Sequence, residues 1–239
     1  MIPAGAGLEM QSAGLFVAGT DTDVGKTHVA AAIVRQVRAD GCRVGVYKPV
    51  ASGVAGAADE ASDAFVLWNA AGRPLTPSDV CPQAFAAAIA PAASARAEGR
   101  KVDERLLRTG LDRWRQGFEM VVVEGAGGLF SPLGDATLVV DLAREFALPV
   151  VIVDAARLGA IGRSLAVVRA ARAEGLSVVA VVLSHVTDPG SATGPAAPRT
   201  IARDAAAEIE SRAGLPVMIF DHGTDRMPPG IDWRMLATG

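Results

Sequence analysis

The sequence has few aromatic residues and almost no cysteine. It contains seven Phe, three Trp and one Tyr among 239 residues, whereas 46 residues are Ala. A chain that is 50% hydrophobic must therefore build its core from small and branched aliphatic side chains, and it is too hydrophobic to be disordered. The two cysteines, Cys42 and Cys81, are too few for a disulfide framework and favour a reducing compartment.

The sequence also lacks an excess of positive charge and a long apolar run. It has 23 Lys and Arg against 26 Asp and Glu, a net charge of −3, whereas nucleic-acid-binding proteins are usually basic. No apolar run approaches the roughly 18 residues of a membrane span. The first residues include Glu9 and no basic stretch, so no signal peptide is expected. We therefore expect a cytoplasmic protein that binds neither nucleic acid nor membranes.

Short apolar runs alternate with segments of helical periodicity along the chain. The predicted strands span residues 14–20, 43–48, 119–123, 149–154, 177–183 and 216–220. The predicted helices span residues 26–40, 60–71, 103–116, 137–146, 161–174 and 199–213, and a long loop spans residues 74–95. The strands are continuous Val and Ile runs, as in parallel sheets covered by helices on both faces. The pattern predicts one α/β domain over residues 1–239, with a doubly wound, mostly parallel sheet, a loose segment at 1–13 and a tail at 221–239.

The strongest motif is GTDTDVGKT at residues 19–27, which follows the first strand and opens the first helix. In a phosphate-binding loop, backbone amides and a helix N-terminus surround the phosphates. Lys26 would reach the β- and γ-phosphates, and the Thr27 hydroxyl would hold Mg²⁺. Five residues separate Gly19 from Gly25, one more than the usual pattern has. The motif predicts a nucleoside triphosphate site; the alternative is an ordinary turn with a chance GKT.

Polar residues end two other strands at the same edge of the predicted sheet, where ligands bind in such folds. Lys48 is one of only three lysines against 20 arginines, which indicates a site that needs a compact ammonium. It is either a solvated charge or, as we favour, a clamp on a transferring phosphoryl group or an anionic substrate. Glu124, followed by GAGG, either binds Mg²⁺ or simply ends a strand.

Other acids and the histidines are less informative. Asp63 begins a helix, where a metal ligand and a helix cap fit its position equally well. Asp154 and Asp221 lie at the ends of later strands and are interpreted as ordinary strand-end acids. None of the three histidines has metal-ligand spacing: His28, His185 and His222.

Three motifs, in this order, resemble the dethiobiotin synthetase family: GTDTDVGKT at 19–27, YKPVASG at 47–53 and VEGAGG at 123–128. The resemblance runs over about residues 15–187, implies a P-loop NTPase fold and accounts for the longer phosphate loop, which marks that family. The family forms dethiobiotin from 7,8-diaminononanoate, CO₂ and ATP, through a carbamate and a carbamic–phosphoric anhydride. The resemblance therefore implies ATP as co-substrate, Mg²⁺ as cofactor and CO₂ or bicarbonate as the carbon source.

The resemblance also implies roles for individual residues, with Lys26 and Lys48 as the catalytic pair. Nucleotide and metal would be bound by Asp23, Val24, Gly25, Lys26, Thr27, His28, Asp63, Glu124, Gly125, Ala126, Gly127, Ser184 and His185, with Thr27, Asp63 and Glu124 on the metal. The substrate would be bound by Thr22, Lys48, Ser52, Gly159, Ala160, Ile161 and Gly162. The last four would act through backbone amides supplied by the partner subunit of a homodimer, whose substrate site lies at the subunit interface. Ser184-His185 replaces the Asn-Asp that commonly reads the base.

The main alternative is a dimerising P-loop ATPase switch of the partition or division-site type. That class carries a signature Lys at the loop position of Asp21, and the tail has no basic amphipathic helix for membrane contact. A GTPase switch would need an Asn-Lys-x-Asp motif after a late strand, and none is present. A cobyrinate-type synthase would need a further domain with a catalytic Cys. We therefore expect a synthetase.

Overall fold

The computed structural model describes residues 13–238; apart from Ala13, the expected loose segment 1–13 lies outside the described residues. In chain order the elements are β1 Ala13–Gly19, α1 Lys26–Ala39, β2 Val44–Tyr47, β3 Ala51–Ser52, α2 Asp63–Ala70, α3 Pro77–Val80, β4 Ala84–Phe85, α4 Pro91–Ala97, α5 Glu104–Thr109, α6 Asp112–Gly117, β5 Met120–Gly128, α7 Val139–Phe146, β6 Val150–Ala155, α8 Ala160–Ala173, β7 Val178–Ser184, α9 Pro198–Ala213, β8 Val217–Phe220 and α10 Trp233–Leu236.

Six of the strands form one sheet in the order β2-β5-β1-β6-β7-β8, and each neighbouring pair is parallel. The connection from β1 to β2 runs toward one edge, whereas those from β5 to β8 run toward the other. Because crossovers between parallel strands are right-handed, α1 and α7–α9 cover opposite faces of the sheet. Strand β1 is buried from Gly14 to Gly19, and β5 and β6 are buried along their Val-rich runs. The predicted α/β fold with a parallel, helix-covered sheet is confirmed.

The segment 74–95, predicted as a loop, contains α3, β4 and the first turns of α4. Two of its four prolines, Pro77 and Pro91, begin helices rather than interrupt them, because they occupy first-turn positions where the missing N–H costs nothing. The Lys48 N–H donates to the Val80 carbonyl (2.8 Å), which ties the end of β2 to α3. Strand β4 pairs with β3 in a small parallel sheet next to this end. The loop prediction was wrong, and the ordered segment supports Lys48.

The predicted single helix at 103–116 was also wrong, because α5 and α6 are separate helices. The Tyr47 hydroxyl donates to the carbonyls of Leu106 (2.9 Å) and Leu107 (3.1 Å) at the end of α5. A Cβ on Gly110 would collide with that same hydroxyl. The glycine therefore lets the chain pass closely over the buried tyrosine, and the helix is interrupted there.

Strand β5 is longer than predicted, because it continues through the glycines after Glu124 instead of turning. Gly128 pairs with Gly19 at the end of β1, and the Leu129 N–H donates to the Gly19 carbonyl (2.9 Å). This pairing places the GAGG segment alongside the start of the phosphate loop. At the far end of the chain, the Ala237 carbonyl accepts from the Gly14 N–H (3.0 Å), so the region after α10 contacts β1. Across residues 13–238, none of the helices has the length and apolar character needed to span a membrane.

Candidate active site

A cavity of about 610 Å³ opens at the carboxyl edge of the six-stranded sheet. The phosphate loop, the ends of β2, β5 and β7 and the turn after β8 all contribute to it. Fourteen of the predicted site residues line this cavity: Thr22, Asp23, Gly25, Lys26, Thr27, His28, Lys48, Ser52, Asp63, Glu124, Ala126, Gly127, Ser184 and His185. The other lining residues are Arg35, Ala51, Val186, Phe220, Asp221, His222, Gly223, Thr224 and Asp225.

The phosphate loop connects β1 to α1 through two residues with left-handed backbone, Asp23 (φ 56°) and Gly25 (φ 91°). A Cβ on Gly25 would lie 2.5 Å from the Ser184 Oγ, so both the backbone and the neighbouring strand require glycine there. The buried Lys26 donates from Nζ to the Asp21 carbonyl (2.8 Å), which places its ammonium within the loop. Burial lowers the pKa of Lys26, and the nearby carboxylate of Glu124 offsets only part of that effect.

Lys48, Thr27, Asp63 and Glu124 form one hydrogen-bonded cluster. The Lys48 Nζ donates to Glu124 Oε1 (2.7 Å) and to Asp63 Oδ2. The Thr27 hydroxyl lies 2.8 Å from Asp63 Oδ1 and 2.9 Å from Glu124 Oε1. Lys48 and Glu124 are buried, whereas about half of the Asp63 side chain reaches the cavity (45% exposed). The cluster joins the phosphate loop to the ends of β2 and β5.

Asp63 reaches this cluster because it does not cap its own helix. The Ser62 side chain occupies the cap position of α2 and accepts from the Phe65 N–H (3.1 Å). The carboxylate of Asp63, the first helical residue, is therefore free to turn toward Lys48 and Thr27. The capping role that the sequence left open for Asp63 belongs to Ser62.

Burial and charge act in opposite directions on the titrating groups of the cluster. Burial lowers the pKa of Lys48, but the carboxylates of Glu124 and Asp63 raise it by more, so the ammonium is held protonated. Burial raises the pKa of Asp63, but Lys48 lowers it by more, so its pKa lies below the usual range and it is ionised. For Glu124, burial dominates over the attraction of Lys48 and leaves its pKa raised.

Glu124 has an unsatisfied oxygen. Its Oε2 is buried and has no hydrogen-bond partner among the described residues, although Oε1 contacts both Lys48 and Thr27. Buried polar atoms nearly always have a partner, and an unpartnered carboxylate oxygen fits a site that binds a cation. Hard oxygen ligands from one hydroxyl and two carboxylates are the kind that Mg²⁺ takes in nucleotide sites. The residues present therefore fit Mg²⁺.

A second part of the cavity is lined by Ser184, which adjoins Gly25 of the phosphate loop, by His185 and by the turn at 221–225. The His185 N–H donates to the Phe220 carbonyl (2.9 Å), which joins the ends of β7 and β8, and burial lowers the pKa of the His185 imidazole. Asp221, interpreted from sequence as an ordinary strand-end acid, lines the cavity, as does Arg35 from α1. Sequence reasoning missed Arg35, since an Arg two turns into a helix carries no local signal of a ligand.

Six predicted residues do not line the cavity: Val24, Gly125, Gly159, Ala160, Ile161 and Gly162. Val24 is buried in the core, and a Cβ on Gly125 would touch Val139 and Phe16 rather than a ligand. The segment 159–162 lies at the N-terminus of α8, after β6. The roles assigned to these six residues, and to the cavity-lining ones, remain predictions.

A parallel sheet with a phosphate loop between β1 and α1 defines a P-loop nucleotide-binding protein. Residues 13–219 match the AAA domain family. The chain resembles chloroplast FtsY from Physcomitrella patens (TM-score 0.51, 16% identity) and the signal recognition particle receptor FtsY from Elizabethkingia anophelis (TM-score 0.54, 14% identity). Each match covers 95% of this chain but only 65% of the other, and at such identities it shows the fold alone.

Sequence relatives are more specific. The chain is 46% identical to the ATP-dependent dethiobiotin synthetase BioD of Rhodopirellula baltica, over 72% of this chain and 73% of the relative. It is 41% identical to the BioD of Caulobacter vibrioides (73% and 80% covered) and 41% identical to that of Anaeromyxobacter sp. (80% and 84% covered). The chain therefore belongs to the ATP-dependent dethiobiotin synthetase family and is an enzyme of the ligase class. The resemblance drawn from the three motifs is confirmed.

Proposed function

We propose that this protein catalyses the ATP- and Mg²⁺-dependent conversion of 7,8-diaminononanoate and CO₂ to dethiobiotin, ADP and phosphate, a step of biotin biosynthesis. The observation that carries the proposal is the buried Lys48, held between Glu124 and Asp63 and adjacent to the phosphate loop. A fully buried ammonium at this point fits a reaction between two anions, a carbamate and a triphosphate. The relatives named as dethiobiotin synthetases support the assignment.

The proposed reaction has three steps whose atoms balance. One amine of the substrate attacks CO₂ and loses a proton, which gives a carbamate. A carbamate oxygen attacks the γ-phosphorus of ATP, the bond to the bridging oxygen breaks, and ADP leaves. The second amine then attacks the carbonyl carbon and loses a proton, the bond to the phosphate oxygen breaks, and the ring closes. No step forms a covalent bond to the protein, so catalysis comes from positioning and charge stabilisation.

Lys48 acts in this proposal as a fixed positive charge rather than as a proton carrier. Its raised pKa keeps the ammonium charged at any working pH, so it can stabilise the carbamate and the γ-phosphate as charge moves between them. Lys26 holds the β- and γ-phosphates once it exchanges its bond to the Asp21 carbonyl for a phosphate oxygen. Thr22 and Ser52, which line the cavity, bind the amine end of the substrate.

Thr27, Asp63 and Glu124 would hold Mg²⁺, and the unpartnered Glu124 Oε2 supports this assignment. When bound, the ion would neutralise negative charge on the triphosphate. The protein residues orient the phosphates toward Lys48 and keep Asp63 ionised. Within residues 13–238 no group of three His, Cys, Asp or Glu side chains forms a metal site by itself. Mg²⁺ in nucleotide sites usually takes one or two carboxylates together with phosphate oxygens and water.

We also propose that the chain forms a homodimer in which residues 159–162 bind the carboxylate of the partner's substrate. In each subunit this segment lies outside its own cavity. Leu158 (83% exposed) and Ile161 leave apolar surface exposed beside it. Sedimentation should show a dimer at micromolar concentration, and Leu158→Asp should shift it toward monomer; a wild-type monomer would contradict the proposal.

Cell fractionation would test the proposed cytoplasmic location, and recovery with membranes would contradict it.

Detection of the product tests the proposed reaction. The purified protein is incubated with Mg-ATP, 7,8-diaminononanoate and ¹³C-bicarbonate, and dethiobiotin is measured by mass spectrometry. We expect dethiobiotin that carries one ¹³C atom in its ureido carbonyl. Lys48→Met should abolish the product, whereas the exposed Lys101→Met should leave it unchanged. A wild-type protein that binds ATP but forms no labelled product would contradict the proposed function.

A further inference from the structure

Asp154 is a buried carboxylate outside the catalytic cluster. It lies near the end of β6, its side chain is fully buried, and it does not line the cavity. Its Oδ1 accepts from the Thr20 hydroxyl (2.6 Å), from the Ala155 N–H (2.8 Å) and from Arg163 Nε (3.1 Å). Its Oδ2 accepts from the Ser164 hydroxyl (3.1 Å). Sequence reasoning treated this residue as an ordinary strand-end acid, but it has partners on two separate elements.

One partner of Asp154 is Thr20, which connects β1 to the rest of the phosphate loop. Thr20 follows β1 directly, and its N–H donates to the Val153 carbonyl (2.9 Å). Its side chain and its backbone are therefore both held by the end of β6. Because Gly19 and Thr20 lead into the loop that carries Lys26, the position of Thr20 sets where the loop begins.

The other partners are on α8. Arg163 pairs with Asp154 and also donates to the carbonyls of Ala155 and Leu158 (3.3 Å each), which fixes the turn between β6 and α8. About one third of the Arg163 side chain is exposed, whereas Asp154 is fully enclosed. A buried carboxylate is tolerated only when charge and hydrogen bonds compensate it, so loss of one partner disturbs the rest. Asp154 therefore joins the turn before α8 to the phosphate loop.

We propose that Asp154 is a positioning residue that fixes the phosphate loop relative to the N-terminal turn of α8, so that Arg163 controls nucleotide affinity without lining the nucleotide cavity. Under the proposed function, the same turn also belongs to the substrate site. Only this link to the substrate rests on the proposed function, and the effect on nucleotide affinity does not. Nucleotide affinity can be measured without substrate. Failure of the proposed reaction and failure of this inference are thus separate results.

The test compares single and double variants by titration with Mg-ADP. Thr20→Val removes only the hydroxyl, and we expect its Kd for ADP to rise about tenfold, as for loss of a hydrogen bond to a charged group. Thr20→Ser keeps the hydroxyl and should restore affinity to within about twofold of wild type. Thr109→Val is the matched control, because the Thr109 hydroxyl bonds only the Arg105 carbonyl on the surface of α5.

Arg163→Gln is the remote variant, and we expect its Kd for ADP to rise about fivefold, since it acts on the same carboxylate from α8. With Thr20→Val in the same chain, the combined rise should be smaller than the product of the single effects, because both act through Asp154. Thermal unfolding midpoints are measured in parallel. Unchanged ADP affinity in Arg163→Gln, or a double variant whose effects simply multiply, would mean that Asp154 is a packing feature and would overturn the inference.

Discussion

The two ends of the cavity are built differently. At the phosphate end, Lys26, Lys48 and Glu124 are buried, and each makes a hydrogen bond to another of these residues or to the loop. At the other end, most of the turn at 221–225 is exposed, and Asp221 pairs with the surface residue Arg199. A preorganised, water-excluded cluster stabilises charge that develops during reaction, whereas an open turn can supply only binding energy. Changes should therefore be severe at the phosphate end and mild at the other.

Lys48→Arg should have the largest effect. The Lys48 side chain is only 4% exposed between two carboxylates, so the larger, planar guanidinium cannot take its place. We expect kcat to fall by roughly 100- to 1000-fold, while the Kd for ADP stays within about threefold. Steady-state kinetics and titration measure the two quantities, with Lys101→Arg as the matched control. Near-normal turnover would remove Lys48 from the chemistry.

Gly25→Ala should have the next largest effect, on nucleotide affinity. Its left-handed backbone and the close Ser184 Oγ both oppose a methyl group, so the loop must shift. We expect the Kd for ADP to rise at least about tenfold. Gly41→Ala is the control, because Gly41 has a similar φ of 82° with nothing within 4 Å of an added Cβ. If both variants bind ADP equally well, the contact with Ser184 has no role in shaping the loop.

Glu124→Gln should change the requirement for metal. We expect the Mg²⁺ concentration for half-maximal rate to rise about tenfold, because a neutral amide is a weaker ligand. Glu119→Gln is the matched control, because Glu119 immediately precedes β5. This variant should leave the Mg²⁺ concentration for half-maximal rate unchanged. An equal metal requirement in both variants would place the ion elsewhere.

The pH dependence of the metal requirement sharpens that test. The pKa of Glu124 is raised by burial, so protons bind this carboxylate at higher pH than they bind an ordinary Glu and compete with the metal. As the pH falls, the wild-type Mg²⁺ requirement should rise. In Glu124→Gln the dependence should be flatter, since the amide does not titrate. A parallel dependence in the two proteins would assign it to another group.

Ser184→Ala should have the smallest effect. The Ser184 hydroxyl touches the region of Gly25 but makes no side-chain hydrogen bond within the described part of the chain. We expect the KM for ATP to change by less than about threefold. A rise of more than about tenfold would show that the Ser184 hydroxyl takes part directly in nucleotide binding.

The same contrast separates what the sequence could predict from what it could not. Lys26 and Thr27 are adjacent in a motif. Lys48 and Glu124 end buried strands, and in a parallel sheet ligands bind at the carboxyl ends of the strands. The sequence alone therefore predicts that these residues share one site. Asp63 stayed ambiguous because an Asp at the start of a helix fits a cap as well as a metal ligand, and only the structure shows that Ser62 takes the cap position. The sequence signals were sufficient where function depends on strand ends.

Contacts between distant segments escaped prediction. Asp154 bonds Thr20, 134 residues away, and no local pattern marks that pair. Arg35 likewise lines the cavity from the middle of α1. Pro77 and Pro91 lie in the segment predicted as a loop, whereas they begin α3 and α4, and α3 supports Lys48 through Val80. Tertiary packing decides the roles of Asp154 and Arg35, whereas the helix that begins at Pro77 has a local signal, the capping box of Thr76 and Asp79.

The most direct test of the account is ADP release from Mg-ATP by the purified protein, measured with and without 7,8-diaminononanoate and bicarbonate. If the buried Lys48 cluster serves phosphoryl transfer to a carbamate, release requires both compounds together. We predict little ADP with either compound alone. Equal ADP release in the absence of both would contradict the account and favour an ATPase switch.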